Sequence, residues 1–267
     1  KESYACEAVI IATGGASYPL TGSTGDGYRL AEGVGHSITD IRPSLVPIVT
    51  EESWVKDIMG LSLRNVEVSI VSKEKVQAKM FGEMMFTHFG VTGPTILSLS
   101  HTVGKLLRKK KTAPIAVSIN LKPALTAEVL DKRLQKDFDL YSKKQLANGM
   151  KDLLPSNLIP IIISLAKLDP AKPINQITKE ERQQLCHVLQ HMTLTVKGLR
   201  PVEEAIVTAG GISLKEFNPK TMESKLVKGL YGAGEVLDID AFTGGYNLQA
   251  AFSTGYVAAM HIVHGEV

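Results

Sequence analysis

The sequence predicts an α/β fold that is interrupted by an α+β insertion, and three observations support this. Glycine is concentrated near the two ends of the chain, with seven between residues 14 and 35 and six between residues 229 and 255. Continuous apolar runs, typical of strands covered on both faces, occur in the same regions. The middle of the chain instead alternates apolar and polar residues and then adopts helical spacing. The two ends are therefore predicted to form one domain, with the middle inserted into it.

Residues 1–42 are predicted to begin with a strand. Residues 8–12 form a continuous apolar run that ends at Thr13, Gly14 and Gly15, and a loop rich in Gly, Ser and Thr follows. Asp26 is expected to cap a short helix that ends at Gly35. Four residues are expected on the apolar side of this helix: Tyr28, Leu30, Ala31 and Val34.

Residues 43–207 are predicted to form the inserted module. Alternating apolar positions predict half-buried strands over residues 65–71 and 115–121. Helical spacing extends over residues 126–148, and residues 178–181 form a capping box that opens another helix. A further strand is expected over residues 194–199. Strands followed by helices and then strands are typical of an α+β domain.

Residues 208–267 are predicted to complete the first domain. An apolar strand over residues 205–208 stops at Gly210 and Gly211, and residues 229–234 predict a short buried strand. Residues 246–264 predict the final helix. Seven of its residues are expected to pack inward: Leu248, Ala251, Phe252, Gly255, Ala258, Ala259 and Ile262.

The composition is that of an ordinary globular protein, with 44% apolar and 21% charged residues. It excludes disordered, collagen-like and coiled-coil chains. The net charge of +3 gives no reason to expect a nucleic-acid partner, and the basic run at residues 108–111 is expected to be a solvated turn. The longest apolar run, residues 158–168, is shorter than the roughly 20 residues that span a bilayer, so no membrane partner is expected.

Two further features bear on the compartment. No signal or transit peptide is recognisable at the start of the sequence. Cys6 and Cys186 are too few for a disulfide framework and are expected to be buried free thiols. Both features favour a cytoplasmic location.

Two glycine-containing segments near the end of the chain could bind a ligand. Gly244 and Gly245 directly precede the final helix, where free N–H groups and the helix dipole favour a negatively polarised ligand atom. Gly234 and Glu235 follow the preceding strand, where a carboxylate can hold ligand hydroxyls. A structural turn and a surface glutamate are the alternatives when each motif is considered alone. Together, at this spacing, the two motifs are more specific.

The glycine-rich segments resemble those of a flavoprotein family. The resemblance is carried by residues 12–15, 22–28, 86–94 (Phe-Thr-His-Phe-Gly-Val-Thr-Gly-Pro), 208–211 (Thr-Ala-Gly-Gly) and 229–249. They are similar to the bacterial HI0933-like family of FAD- and NAD(P)-dependent, aminoacetone-oxidase-like oxidoreductases, over nearly the whole chain. The resemblance implies a Rossmann-like FAD-binding domain of the glutathione-reductase type, in two segments at 1–42 and 208–267. It also implies that a β-barrel-plus-helical domain at 43–207 interrupts this domain.

The resemblance implies FAD as the cofactor and assigns residues to it. The loop of Thr13, Gly14 and Gly15 would face the adenosine and pyrophosphate side of FAD. Gly234 and Glu235 would lie beside the ribityl chain. The flavin pyrimidine edge would be contacted by the start of the final helix: Gly244, Gly245, Tyr246, Asn247 and Leu248.

One departure from the family pattern matters. The family begins with a strand, a G-x-G-x-x-G turn and a helix that bind the FAD pyrophosphate, and no G-x-G-x-x-G occurs in this sequence. The chain is therefore expected to be a carboxyl-terminal fragment. Such a fragment is expected to be inactive, to bind FAD weakly, and to self-associate through uncovered apolar strand faces.

Candidate catalytic and metal-binding residues are few. His88 lies in the family motif at residues 86–94 and could act as a catalytic acid facing the flavin, although a structural histidine is the more common role. His187 and His191 have the spacing of two metal ligands on a helix, but no further ligand accompanies them, so no metal is expected.

Two functions are therefore considered. The first is an FAD-dependent oxidoreductase that acts on an undefined small-molecule substrate, with NAD(P)H as a possible electron donor. The second is a non-enzymatic binding module that keeps a vestigial flavoprotein fold. A full-length protein that is yellow supports the first, and one that stays colourless after FAD reconstitution supports the second.

Overall fold

The computed structural model describes residues 2–109 and 113–265, and the chain divides into two compact units. The first, Lys1–Pro47 with Leu199–Val267, is built from both ends of the chain and is called the split unit. The second, Ile48–Gly198, is called the barrel unit. Two residues of the basic run at 108–111, Lys110 and Lys111, lie outside the described residues.

The strands and α-helices follow one another along the chain. The strands are β1 (Val9–Ile11), β2 (Arg42–Ser44), β3 (Ile48–Thr50), β4 (Ser62–Ser72), β5 (Lys75–Phe86), β6 (Gly90–Thr92), β7 (Ile115–Asn120), β8 (Met192–Leu199), β9 (Val207–Ala209) and β10 (Leu230–Gly232). The helices are α1 (Asp26–Gly33), α2 (Pro94–Leu107), α3 (Ala127–Leu140), α4 (Leu146–Gly149), α5 (Ile159–Leu165), α6 (Lys179–Gln190) and α7 (Tyr246–His264).

The split unit contains a parallel pair of strands from opposite ends of the sequence. β1 pairs with β10, with Val9 opposite Leu230 and Ile11 opposite Gly232. Because the strands are parallel, the loops that follow them emerge at the same edge. Two strands do not define a Rossmann-like sheet, so that part of the predicted fold stays a prediction.

The chain passes between the split unit and the barrel unit twice. Both passages adjoin one antiparallel pair of strands. β2 pairs with β9, and Pro43 lies directly opposite Thr208. An inserted module must leave and re-enter its host at neighbouring strand ends, and this adjacency of Pro43 and Thr208 is confirmed.

The barrel unit contains a closed barrel with the strand order β3-β6-β5-β4-β7-β8. Alternate residues point inward, so Val66, Val68 and Ile70 of β4 are buried together with Val117 and Ile119 of β7. The strands predicted at residues 65–71 and 115–121 are therefore confirmed, and so is the barrel-plus-helical architecture.

The helices of the barrel unit begin where side chains can cap them. Thr126 accepts a hydrogen bond from the Val129 N–H at the start of α3, and Thr178 with Glu181 forms the predicted capping box of α6. The helix predicted over residues 126–148 is too long, because the chain turns after α3 and the Lys144 N–H bonds the Tyr141 carbonyl. The long strand β5 and the helix α2 were not predicted.

The predicted burial of α1 is only half correct. Tyr28 and Ala31 are buried in the core of the split unit, but Leu30 is 60% exposed and Val34 is exposed as well. Gly25, in the left-handed region, occupies the cap position that was expected for Asp26, and Asp26 is the first residue of the helix.

The predicted inward face of α7 is wrong for most of its large residues. Ala258 is buried, whereas Leu248 is 64% and Phe252 is 70% exposed, and Ile262 is exposed too. The apolar stripe of this helix correctly indicates an apolar face. It does not show whether another segment of the same chain covers that face.

The two cysteines lie in different environments. Cys186 of α6 is buried, and this burial, followed by the charge of Asp131, raises the pKa of its thiol to about 11. Cys6 is exposed, so the expectation of a buried thiol is wrong there. Within residues 2–109 and 113–265, no helix is long and apolar enough to cross a membrane.

Candidate functional site

The candidate site lies in the split unit, where the loops after β1 and β10 meet. The backbone bond from the Ala233 N–H to the Ile11 carbonyl continues the parallel ladder up to these loops. A Cβ atom on Gly15 would lie 2.6 Å from Oε1 of Glu235, so the first loop and Glu235 are in contact. The structure therefore brings together two of the three predicted segments.

A hydrogen-bonded cluster centred on Thr208 joins these loops. The Thr208 N–H donates to Oε1 of Glu235 (2.7 Å), and the Thr208 hydroxyl oxygen accepts from the N–H groups of Ala16 (2.8 Å) and Ser17 (3.1 Å). Thr208 is fully buried. A side chain at Gly15 would collide with the Thr208 hydroxyl, which explains why this position requires glycine.

Glu235 has one structural oxygen and one available oxygen. Oε1 is used by Thr208, while Oε2 makes no hydrogen bond to the residues that the structure describes. The side chain is only partly buried, so Oε2 can accept a hydrogen bond from a ligand hydroxyl. This arrangement suits the predicted role beside a polyhydroxyl chain.

Tyr28 of α1 is buried, and its phenol lies close enough to Glu235 to be affected by the charge of that carboxylate. Burial, followed by the negative charge of Glu235, raises the pKa of Tyr28 to about 12, so its phenol is neutral at physiological pH. Its hydroxyl is buried and has no hydrogen-bond partner in the described part of the chain. An unpaired buried hydroxyl is costly, and a ligand or a water that reaches it would remove that cost.

The third predicted segment is the start of α7. Gly244 (φ 112°) and Gly245 (φ 88°) have left-handed backbone conformations, and a Cβ atom on Gly245 would meet nothing within 4 Å. The cap position of this 19-residue helix is Gly245, which has no side chain to accept from the first N–H groups of the helix. Tyr246 and Leu248 are exposed around this opening. Such a helix start favours a negatively polarised ligand group.

Asn247 has a different role from its neighbours. Its Oδ1 accepts from the Ala241 N–H (2.8 Å), and its Nδ2 donates to the Ala241 carbonyl (3.0 Å). The side chain therefore folds back on the loop before α7 and fixes the position of Gly244 and Gly245. The side chain of Asn247 thus holds this loop, and the predicted contact of Asn247 with the cofactor stays a prediction.

The start of α7 is in contact with the β10 loop. The Gly234 N–H donates to the Thr254 hydroxyl (2.9 Å), and Glu235, Asn247 and Ala251 line one small pocket with Gly234. The pocket measures about 10 Å³, room for one water molecule, so an aromatic ring system would lie against this surface and not inside it.

These features fit an FAD molecule at its flavin and ribityl end. The glycine-lined surface, the uncapped helix start and the free carboxylate oxygen provide the donors and acceptors that this part of FAD needs. Thr13 and Gly14 stand on the same edge, where Gly14 (φ 76°) approaches the Ser23 side chain. No G-x-G-x-x-G turn is available for the pyrophosphate.

The other candidates lie in the barrel unit. His88 is exposed in the turn between β5 and β6, where its ring contacts Phe89 edge-on at 4.8 Å between centroids. His187 and His191 of α6 have ring centroids 5.0 Å apart. Among the described residues, no group of three or more His, Cys, Asp or Glu side chains could hold a metal ion.

The barrel unit carries the decisive family match. The profile of the HI0933-like protein barrel and H2TH domain matches residues 42–207, which is more than half of the chain. The chain belongs to the HI0933-like family. The closed barrel and its helices are the structural counterpart of this match.

Three relatives in the family are similar over almost the entire chain. A 3-dehydro-bile acid delta(4,6)-reductase of Clostridium scindens is 28% identical over 96% of this chain and 62% of its own length. Ribosomal RNA dihydrouridine synthases of Haemophilus influenzae and Escherichia coli are 32% and 30% identical, over 96% and 97% of this chain and 60% and 61% of their own lengths. The chain thus spans about three fifths of the relatives that it matches. Their names place the family among oxidoreductases.

Sequence reasoning missed the roles of three residues of the site. The sequence shows Thr208 and Tyr28 only as members of segments that carry the family resemblance, and it gives no reason to assign Ser17 to the site. The signal that could have identified Thr208 is its position: a polar residue ends an otherwise apolar run just before two glycines. The contact with Glu235 has no local signal, because the two residues are 27 positions apart.

Proposed function

We propose that the whole protein is a flavin-dependent oxidoreductase that binds FAD and takes electrons from NAD(P)H. In this proposal the split unit contacts the flavin and ribityl end of FAD through Glu235 and the start of α7, and the adenosine and pyrophosphate side through the β1 loop. The observation that carries it is the meeting of three predicted segments at one edge: the β1 loop, Glu235 and the uncapped start of α7. Membership of a family with reductase-named relatives supports the same reaction class.

The residues of the chain have distinct tasks in this proposal. Oε2 of Glu235 accepts a hydrogen bond from a ribityl hydroxyl, and the N–H groups at the start of α7 stabilise negative charge on the pyrimidine edge. Asn247 keeps that helix start in place. When bound, FAD would supply the hydride chemistry.

The names of the relatives suggest the type of bond that is reduced. A delta(4,6)-reductase and a dihydrouridine synthase both saturate a carbon–carbon double bond. Applied to this chain, the overall reaction consumes NAD(P)H and one proton, adds two hydrogens across the double bond and releases NAD(P)⁺. The steroid and the RNA base of these relatives give two candidate substrate classes. His88 is the candidate proton donor.

The flavin site can be tested in the full-length protein with one substitution at the glycine that precedes α7 and one within the helix. Gly245→Val should weaken FAD binding severely, because valine is strained at φ 88° and its branched side chain would occupy the surface that the flavin needs. Gly255→Val is the matched control, since Gly255 has no unusual φ and nothing within 4 Å of its Cβ position. FAD affinity is measured by fluorescence titration.

Glu235→Ala tests the ribityl contact separately. A lost charge-assisted hydrogen bond should cost on the order of 1–3 kcal/mol of FAD binding, less than Gly245→Val. Unchanged FAD affinity in both variants would show that the flavin edge does not lie here. A full-length protein that stays colourless after FAD reconstitution would favour the non-enzymatic binding module.

A further inference from the structure

A buried histidine joins the two sequence segments of the split unit. His36 follows α1, and its side chain is completely buried. Nδ1 lies 2.9 Å from Oε2 of Glu216, and Nε2 lies 2.9 Å from Oγ of Ser224. The ring also stacks on Phe217, with 4.8 Å between the ring centroids and 10° between the planes. Contacts at both nitrogens and on one face fix the orientation of this ring.

The surroundings of Ser224 determine which ring nitrogen of His36 carries a proton. The Ser224 hydroxyl oxygen accepts from the backbone N–H groups of Leu226 (3.0 Å) and Val227 (3.0 Å). A serine oxygen has two lone pairs and one hydrogen, so both lone pairs are used and the hydrogen remains for Nε2 of His36. Nε2 is therefore the acceptor, and Nδ1 carries the proton that is donated to Glu216. The hydrogen-bond network thus assigns the Nδ1-protonated tautomer to His36.

Ser224 belongs to a segment that lies along one edge of β10. The Ser224 N–H donates to the Leu230 carbonyl (2.7 Å), and the Gly232 N–H donates to the Met222 carbonyl (3.2 Å). We call residues 222–227 the outer segment. Because β1 pairs with the other edge of β10, the strand is held from both sides. Ser224 is the point at which the histidine holds the outer segment.

The strand β10 leads directly to Glu235. The strand ends at Gly232, and Glu235 follows three residues later. Glu223 of the outer segment also accepts from the Gly229 N–H (2.8 Å), which fixes the beginning of the strand. A displacement of the outer segment would therefore move β10 and carry the carboxylate of Glu235 with it. Misplacement of a binding group by about 1 Å is enough to weaken its contact strongly.

The same three residue types form the catalytic triads of serine hydrolases, but the geometry here is different. Ser224 is only 7% exposed. Its oxygen has no lone pair left for attack on a carbonyl carbon, because two backbone N–H groups use both. The arrangement therefore suits a role in holding the outer segment, and not one in covalent catalysis.

We propose that His36, Ser224 and Glu216 position the FAD site by holding the outer segment against β10. The proposal rests on the proposed function, because it concerns the carboxylate of Glu235 as the ribityl contact. Glu216 orients the ring of His36 through the Nδ1 proton, and the ring in turn holds Ser224. The three are positioning residues: they act on Glu235 through the backbone of β10 and do not themselves contact the cofactor.

The tautomer of His36 is tested by NMR on the full-length protein that carries isotope-labelled histidine. Long-range proton–nitrogen correlation spectra distinguish a protonated ring nitrogen from a bare one, and His36→Leu identifies the signals of this residue. We expect a proton on Nδ1 and none on Nε2. A proton on Nε2 would overturn the proposal, because the Ser224 hydroxyl could then not donate its hydrogen to the ring.

The effect on the cofactor site is tested by fluorescence titration of the full-length protein with FAD. Ser224→Ala leaves two buried N–H groups without their acceptor and should weaken FAD binding about tenfold. His36→Leu removes the partner of Ser224 and should give a similar loss, so it decides the question if Ser224→Ala does not fold. In a Glu235→Ala background, Ser224→Ala should weaken FAD binding by less than about twofold, because the group that it positions is already absent.

Thr178→Ala is the matched control for lost stability. It removes the cap of α6 in the barrel unit, so it should lower the denaturant midpoint but leave FAD affinity unchanged within about twofold. Equal losses of FAD affinity in the control and in Ser224→Ala would overturn the proposal, since affinity would then follow stability. A loss of about tenfold in the Glu235→Ala background would overturn it too, since Ser224 would then act independently of Glu235.

The titrations also separate this proposal from the proposed function. FAD affinity that falls in Gly245→Val and Glu235→Ala but not in Ser224→Ala would overturn the positioning role and leave the flavin site standing. A full-length protein that binds no FAD would overturn both.

Discussion

At the scale of single residues, the split unit contains carboxylates that accept hydrogen bonds from backbone N–H groups. Glu235 accepts a hydrogen bond from the Thr208 N–H. Glu216 accepts one from the Ser37 N–H (2.9 Å) and is hydrogen-bonded to Nδ1 of the buried His36 (2.9 Å). The bonds of Glu216 join the two sequence segments of the unit. No local pattern could have predicted any of these contacts, because the partners are between 27 and 180 positions apart.

Glu216 makes the stability of the split unit sensitive to acid. The Ser37 backbone N–H, then the Ser37 and His36 side chains, hold the pKa of Glu216 below its ordinary value of 4.5. A carboxylate whose pKa is lowered in the folded state stabilises the fold at pH values above its ordinary pKa. This stabilisation is lost as the pH falls through the folded-state pKa. Glu216→Gln should therefore destabilise the protein at pH 7 by about 1 kcal/mol and by less near pH 3.

Urea unfolding of wild type and Glu216→Gln at both pH values measures this difference. Glu203→Gln is a suitable control, because Glu203 makes no side-chain hydrogen bond or ion pair among the described residues. A gap between wild type and Glu216→Gln that widens in acid would contradict the assignment.

At the scale of elements, the sequence predicted the strands and helices whose pattern of apolar and polar residues matches the burial of their side chains. The alternation of β7 and the capping box of α6 are visible in the sequence because each depends on neighbouring residues. The three-residue strands β3 and β6 are too short to show a period, and the barrel fixes them through pairing with each other. For α7 the limits were predicted, but the side chains that would be covered were not.

The exposed face of α7 leads to a prediction about stability. Phe252→Ala should change the free energy of unfolding by less than about 0.5 kcal/mol, because its ring is 70% exposed. Ala258→Leu, on the buried side of the same helix, should cost about 1–3 kcal/mol through overpacking. Denaturant midpoints of the two variants give the comparison. A large loss for Phe252→Ala would show that a second copy of the chain covers this face.

At the scale of the whole molecule, the two units differ in charge and in how completely their strands are paired. The barrel unit has a net charge of +8 and the split unit one of −5. The barrel is closed, so its six strands leave no unpaired edge around the ring. The parallel pair of the split unit has only two strands, and Val9 and Ile10 of β1 are exposed. Composition and net charge, which are sums over the chain, could not reveal either contrast. The family resemblance did indicate a barrel in the middle of the chain.

The last prediction concerns FAD binding by this chain of 267 residues. In the proposed site, the β1 loop, Glu235 and the start of α7 would contact the two ends of FAD, but the sequence contains no G-x-G-x-x-G turn to supply N–H donors for its two phosphates. We therefore expect the 267-residue chain to retain little FAD after reconstitution and ultrafiltration, whereas a full-length protein that includes such a turn retains it stoichiometrically.

The same chain should self-associate. A groove of about 400 Å³ lies beside β1, with Val9, Leu30, Val34 and Leu230 in its wall, and exposed apolar surface next to an open strand edge promotes pairing between copies. Leu30→Glu should shift sedimentation toward the monomer, while Leu140→Glu, at an exposed site of the barrel unit, should not. A monomeric wild-type chain that holds stoichiometric FAD would contradict both expectations, because it would show that the split unit closes its sheet and binds both phosphates without another segment.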